Sequence, residues 1–445
     1  MKNNFYKFLE NYRNENFSSF HTPGHKNNFF DNNLISLDFT ELPCTDSLYE
    51  SSGIIKNLEN QISKIYDTDS SFISCGGNTL CIQTMIRLSA KSGDKILCDN
   101  IIHRSAISAM ALLNITPVWL ERKICKNSGL ATEINLEDLE NKINTNNIKA
   151  VYLTSPSYHG ILQDIKQISE ICKKHKILLI IDNAHGSHLK FLGIHPIDLG
   201  ADITADSAHK TLPVLTGGAW LHINKQIYNK NLTNQAKSAM ALFGSTSPSY
   251  ITMSSMSLCA NWLENDNINQ KFKELTQKVE YINSLARQKN IFVLNDHVKT
   301  DPTRIAFGAF SIGYTGFELG EKMREHKIEP ELCDENYVVL IPSPLNSNLD
   351  WERLENFINK IEIKNKFKPN INNTKNDYKT EISLTQALLS ESEEIHVMNS
   401  LNRISSDIIS PCPPGVPIVI PGQKINKSII NNLLTRNISK INVLK

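Results

Sequence analysis

The sequence predicts an α/β fold: a three-layer αβα arrangement around a mainly parallel sheet, with a smaller C-terminal α/β portion. Three observations carry this. From about residue 53, short apolar runs alternate with amphipathic stretches, the pattern of strands joined by crossover helices. The run Ile177-Leu178-Leu179-Ile180-Ile181 is apolar throughout and stops on Asp182, as a parallel strand buried on both faces does. Finally, 445 residues, 40% hydrophobic and 21% charged, can bury a large core spread over two or three domains.

The elements follow in order. Residues 1–52 are polar and turn-rich, broken by His21-Thr22-Pro23-Gly24-His25 and Glu41-Leu42-Pro43, and read as an N-terminal arm. Residues 53–255 form the predicted large domain. Gly53 to Tyr66 reads helical, with Ile54, Leu58, Ile62 and Ile65 on one face. Strands are expected at Phe72–Ser74, Lys95–Cys98, Ile148–Leu153, Ile177–Ile181, Asp202–Thr204 and Gly218–Ile223, and helices at Thr79–Ala90, Ser105–Leu113 and Ile165–Lys174. Residues 256–365 hold a connector and a small α/β domain. The connector reads as one long helix over Ser254–Lys289. Strands near Ile291–Leu294, Arg304–Phe310 and Tyr337–Ile341 follow, with helices near Gly316–Glu325 and Trp351–Ile363. A polar linker then leads into a tail unit, together spanning 366–445, with Pro411-Cys412-Pro413-Pro414-Gly415-Val416-Pro417 as a rigid turn.

Charge excludes some functions. Lys and Arg total 47 against 46 for Asp and Glu, a net charge of +1, so no nucleic-acid partner is expected. No window approaches the roughly 20 apolar residues that span a bilayer, so no membrane partner is expected. The first residues lack the apolar core of a signal peptide. The nine cysteines show no C-x-x-C pair, which argues against a zinc site or a disulfide framework. A reduced, cytoplasmic setting is the expectation.

The chemistry-bearing residues sit where such a sheet holds a ligand, beyond the carboxyl ends of its strands. Asp182 ends one strand; Lys210 follows in Ser207-Ala208-His209-Lys210-Thr211-Leu212. This pairing suits pyridoxal phosphate. A lysine can form the Schiff base, a carboxylate can face the pyridinium nitrogen, and Ser207 and His209 can reach a phosphate. In Cys75-Gly76-Gly77-Asn78-Thr79 a Gly-rich turn opens a helix, whose free N–H groups attract an anion. His103, at a strand-to-helix junction, points over the same crevice, where it could stack on a ring and handle protons. Asp182 alone reads equally as a helix cap, and a Gly-Gly turn alone is more often only a turn. Asp182, His185 and His188 have a loose metal-ligand spacing, but that reading leaves Lys210 without a role, and no metal is expected.

These residues resemble a known family. Runs His21-Thr22-Pro23-Gly24-His25-Lys26, Thr40-Glu41-Leu42-Pro43 with Asp46, Asp182-Asn183-Ala184-His185-Gly186-Ser187-His188, Ser207 to Leu212, Ser247-Pro248-Ser249-Tyr250, and Pro413-Pro414-Gly415-Val416-Pro417 with Pro421-Gly422 are similar, in the same order, to those of the short-form ornithine/lysine/arginine decarboxylases. Those are pyridoxal-phosphate enzymes of the aspartate-aminotransferase fold type. The resemblance implies that Lys210 carries the cofactor, Asp182 pairs with the ring nitrogen, His103 stacks on one ring face and Ala184 packs on the other. Gly77, Asn78, Thr79, Ser207 and His209 would surround the phosphate, and His185 would belong to the same cofactor site. Ser245-Thr246-Ser247 would reach the phosphate of a partner subunit, making the enzyme a homodimer or a dimer of dimers. The implied reaction is decarboxylation of a basic L-amino acid, arginine to agmatine first, then lysine or ornithine. Asp46 and Glu41 are the candidates to hold the substrate's distal cation.

Departures from the family pattern are Asn183 for Glu, Asn78 for Ser or Thr, Ser257 for Asp, Cys412 for Tyr, and Gln386 and Gln423 for Glu. The tail changes bear on substrate choice. Competing readings are another reaction on the same cofactor, such as an aminotransferase using Arg403 for the substrate carboxylate, and a cofactor-binding paralogue without turnover.

Overall fold

The computed structural model describes residues 15–21, 39–42, 45–227, 229, 231–370, 378–411 and 415–445. Thr22 to Lys26, Pro43, Cys412, Pro413 and Pro414, which the sequence singles out, lie outside the described residues.

In chain order the strands are β1 (Ser18–Phe20), β2 (Ser70–Ser74), β3 (Lys95–Asp99), β4 (Thr116–Leu120), β5 (Arg122–Ile124), β6 (Ala131–Ile134), β7 (Ile148–Thr154), β8 (Leu178–Asp182), β9 (Ile203–Asp206) and β10 (Ala219–Ile223), then β11 (Phe292–Val293), β12 (Ile305–Gly308), β13 (Ile328–Pro330), β14 (Leu332–Cys333), β15 (Tyr337–Leu340), β16 (Ser392–His396) and β17 (Lys440–Leu444). The central sheet runs β2-β10-β9-β8-β7-β3-β4. β9, β8, β7, β3 and β4 are parallel to one another, and only β10 is antiparallel to its neighbours. Every residue of β8 and β9 is buried, because helices cover both faces of the sheet. A four-stranded sheet, β11-β12-β15-β14, follows, and β16 pairs with β17 in the tail.

The α/β class and mainly parallel sheet match the sequence reading. Three details differ. The helix Ile54–Tyr66 buries Ile55, Leu58, Ile62 and Tyr66, while Ile54 is exposed, so its apolar stripe is rotated by one position. The expected single connector is two helices, Tyr250–Leu263 and Ile268–Gln288. They part at Glu264-Asn265-Asp266-Asn267, where the Asn265 amide donates to the Trp262 carbonyl (2.9 Å) and competes with helical bonding. The sheet also gains β4, an edge strand unrecognised because it carries Pro117; an edge tolerates a missing N–H.

Candidate active site

The strand ends place the site. β7 pairs Thr154 with Asp182 of β8, and β3 pairs Asp99 with Leu120 of β4, so the carboxyl ends of four parallel strands lie level. Beyond them opens a cavity of about 680 Å³. Gly77, Asn78, Thr79, His103, Asp182, Ala184, His185, Ser207, His209 and Lys210 all line it. A stretch of more than 130 residues of sequence thus converges on one space, as a topological crossing point demands.

Asp182 is 2% exposed. Its Oδ1 accepts from the Asn78 amide (2.9 Å) and the Ala184 N–H (3.1 Å), and its Oδ2 from the Tyr152 hydroxyl (3.1 Å). Burial pushes its pKa up to about 6; nearby Lys210 and these donors pull the other way without cancelling it. The carboxylate is therefore held in one orientation in a space that disfavours its charge. A cationic partner in the cavity would relieve that cost.

Lys210 lies in the short helix Ala208–Thr211, which follows β9 directly. Its Nζ sits 3.0 Å from His185 Nε2 and 5.7 Å from the Tyr158 ring centre. Burial, then Lys210, hold the His185 pKa well below its ordinary value, so the ring stays neutral. His103 caps the helix Arg104–Leu112 through Nδ1, which faces the Ser105 hydroxyl (2.7 Å) and its N–H (3.3 Å). It also lines the cavity, so the capping and the site readings are both satisfied. Burial lowers its pKa to about 4. The His209 Nδ1 lies 3.1 Å from the Gly218 carbonyl and 3.3 Å from Ser207 Oγ, and burial lowers its pKa too.

The anion cradle is the start of the helix Gly77–Ser89. Its N-cap, Gly76, makes no side-chain cap bond. Gly77 has φ +67° and gives its N–H to the Gly217 carbonyl (2.8 Å), turning the chain sharply into the helix. An uncapped helix start at a cavity wall suits a phosphate. Asn78 differs from the sequence reading: its side-chain amide is committed to Asp182, not to the cradle. Among the described residues, Asn78 Oδ1 and His185 Nδ1 are buried without a hydrogen-bond partner, polar atoms that a bound polar group would satisfy. The residues present fit pyridoxal phosphate.

Other expected residues fall elsewhere. Thr246 and Ser247 are exposed and do not line the cavity. Asp46 is spent on the backbone: it accepts from the N–H groups of Ser47, Ser52, Gly53 and Ile55 at 2.8–3.1 Å, seating the start of the helix Ile54–Tyr66. Neither it nor Glu41, whose Oε2 accepts from Thr40, lines the cavity. Arg403 binds Glu393 and the Leu444 carbonyl within the tail, which removes it as a substrate-carboxylate group in this cavity. Gln386 and Gln423 also lie off the cavity wall. Asn183, the departure next to Asp182, donates to Asp206 Oδ2 (2.8 Å), which also faces His195 (2.8 Å), so the substitution sits in a buried network behind the site. His188 pairs with Asp301 and Thr303, and among the described residues no group of His, Cys, Asp and Glu is arranged to hold a metal. No described helix is long and apolar enough to cross a membrane.

Several residues of the site escaped the sequence reading. Tyr152 lies behind the cavity wall, where it holds Asp182; as an inward residue of a buried strand it is indistinguishable from core. Tyr158 and His159 follow β7, and the rule that ligands gather beyond parallel strand ends could have flagged them. Arg122 is fully buried against Asp99 (2.6 Å) and the Thr154 carbonyl (2.6 Å), bracing that end of the cavity. Val416, from the tail, also lines it, and adjacent Gly415 approaches the His103 ring so closely that a Cβ there would stand 2.8 Å away.

Comparison with known proteins shows the family and the fold. The profile of the Orn/Lys/Arg decarboxylase major domain matches residues 3–307, and that of the C-terminal domain of the same enzymes matches 365–440. Members of that family are pyridoxal-phosphate-dependent decarboxylases. Over 96% of its length the chain is 28% identical to "Uncharacterized protein YaaO" of Bacillus subtilis, covering 93% of that protein. Over 93% it is 26% identical to the arginine decarboxylase of the same organism, covering 89% of it. In fold it is similar to the constitutive lysine decarboxylase of E. coli, at TM-score 0.74 and 18% identity, over 99% of this chain and 82% of that one.

Proposed function

Because the chain belongs to the Orn/Lys/Arg decarboxylase family, we propose that it binds pyridoxal phosphate and decarboxylates L-arginine to agmatine and carbon dioxide, a step toward polyamines. The observation that carries the reading is the meeting of Lys210, Asp182 and the uncapped helix start at Gly77 around one cavity. Arginine leads because relatives of nearly full length are named arginine decarboxylase.

In this reading Lys210 would hold the cofactor, Asp182 would answer its ring nitrogen, His103 and Ala184 would flank the ring, and Gly77, Thr79, Ser207 and His209 would take the phosphate, while His185 abuts Lys210. When bound, the cofactor supplies an electron sink for the electrons of the breaking Cα–carboxylate bond. The protein's residues do the rest. Asp182, fixed by Asn78, Tyr152 and Ala184, supplies negative charge at one point of the cavity. The neutral rings of His103 and His185 pack without adding competing positive charge. The Lys210 amine, on the cavity wall beside His185, would hold a proton for return to Cα. The mostly apolar remainder of the wall, including Ile82, Ile101 and Ile161, limits water beside the reacting bond.

Exposed Thr246 and Ser247 are the surface through which each subunit would complete a partner's phosphate site, so the working unit is a homodimer or a dimer of dimers. A cytoplasmic setting fits the free cysteines among the described residues. The test is incubation of the cofactor-loaded enzyme with arginine, lysine and ornithine, with detection of amine and carbon dioxide. Agmatine formed fastest is the expected result. Release of none of the three amines overturns the proposal, and a keto acid without carbon dioxide would reassign it to amino transfer.

A further inference from the structure

We infer that Glu121 is the group that receives the distal cation of the substrate and so sets its specificity for a long basic side chain. The inference rests on the decarboxylase reading and names the part of the site that reading leaves open. A side chain ending in ammonium or guanidinium needs an anionic partner when it leaves water. Among the described residues, Glu121 and Asp182 are the two carboxylates on the cavity wall. Asp182 lies at the ring-nitrogen end. The residues first expected to take the cation, Asp46 and Glu41, are not on that wall.

Position and length agree. Leu120 is paired with Asp99 across β4 and β3, and Thr154 with Asp182 across β7 and β8. Glu121 directly follows Leu120, so it stands at the same level of the sheet as Asp182, three strand spacings away, about 14 Å. An aromatic ring and an extended arginine laid end to end cover about the same span, from ordinary bond lengths. The polypeptide at Glu121 is fixed from behind. Its neighbour Arg122 is buried against Asp99 and the Thr154 carbonyl. Ile101, Ile124 and Leu130 line the same cavity and suit the methylenes of such a side chain.

The experiment uses the cofactor-loaded enzyme and Glu121→Gln, which keeps shape and removes charge. Calorimetric titration compares agmatine with pentylamine, which has an amine but no distal cation. Glu121 is exposed, so loss of its charge should weaken agmatine by about two- to fivefold and leave pentylamine unchanged. KM for arginine should rise in parallel with kcat little changed, and Glu121→Asp should recover part of the agmatine affinity. Unchanged agmatine affinity in Glu121→Gln, or equal weakening of both amines, overturns the inference. Failure of the wild-type enzyme to release carbon dioxide from any basic amino acid instead overturns the decarboxylase reading; the agmatine–pentylamine contrast separates the two.

Discussion

Replacing Asp182 with Asn should move stability and catalysis in opposite directions. Asparagine keeps the shape, and its oxygen can still accept from Asn78 and Ala184. Without cofactor, the wild-type carboxyl has a folded pKa near 6 against an ordinary 3.8, about two units. At about 1.4 kcal/mol per unit this is a cost of about 3 kcal/mol. The sign follows from the raised folded value: the folded state binds the proton more tightly, so the cost is absent below about pH 4 and complete above about pH 6. At pH 8 the cofactor-free Asp182→Asn protein should therefore melt a few degrees higher than wild type, and at pH 4 the difference should vanish. With cofactor and arginine the same change removes a charge pair. At about 4 Å and an effective dielectric near 20 such a pair is worth about 4 kcal/mol, so kcat should fall about a thousandfold. The assays are calorimetry of the cofactor-free proteins across pH and carbon dioxide release by the loaded ones. Turnover within about tenfold of wild type would refute the assigned role, because no charge pair of that size would then be lost. An unchanged melting temperature at pH 8 would refute the burial argument.

Other consequences test the supporting parts. Asp46→Ala should lower stability by about 1–2 kcal/mol through loss of its backbone partners, with KM for arginine unchanged; a selective KM rise would return Asp46 to the substrate site. Arg122→Ala should destabilise by about 3–5 kcal/mol, because Asp99 is left buried and unpaired, and denaturant unfolding of Arg122→Ala against the Asp99→Asn/Arg122→Met pair should show recovery in the pair. Subunits carrying Lys210→Ala, when mixed and reassembled with subunits carrying Thr246→Ala and Ser247→Ala, should regain turnover that neither preparation shows; no regain would refute a site shared between subunits.

Much of this fold is legible because buried parallel strands leave unbroken apolar runs, as at Ile177–Ile181. Polar residues stop those runs where the ligand space begins, which made Asp182, Lys210 and the turn at Gly77 readable as one site. Edge and mixed-polarity elements were less legible. β4 carries a proline, and the helix Leu136–Asn146 has only Leu139 and Ile143 fully buried, so its apolar stripe is thin. Side-chain commitments were least legible of all. Nothing in the sequence distinguishes an Asn78 that reaches a carboxylate from one that reaches an anion, or an Asp46 that seats a helix from one that meets substrate. Those choices depend on which side of a turn a side chain leaves, and residues far apart in sequence decide it: Asp182 for Asn78, and the N–H groups of Gly53 and Ile55 for Asp46.

The most direct test is chemical. The loaded protein would be treated with borohydride to fix any imine, digested, and its peptides weighed. One pyridoxyl group on the peptide containing Lys210, together with loss of visible absorbance and turnover in Lys210→Ala, is the expected result. A label on another lysine, or retained turnover without Lys210, would contradict the site as described.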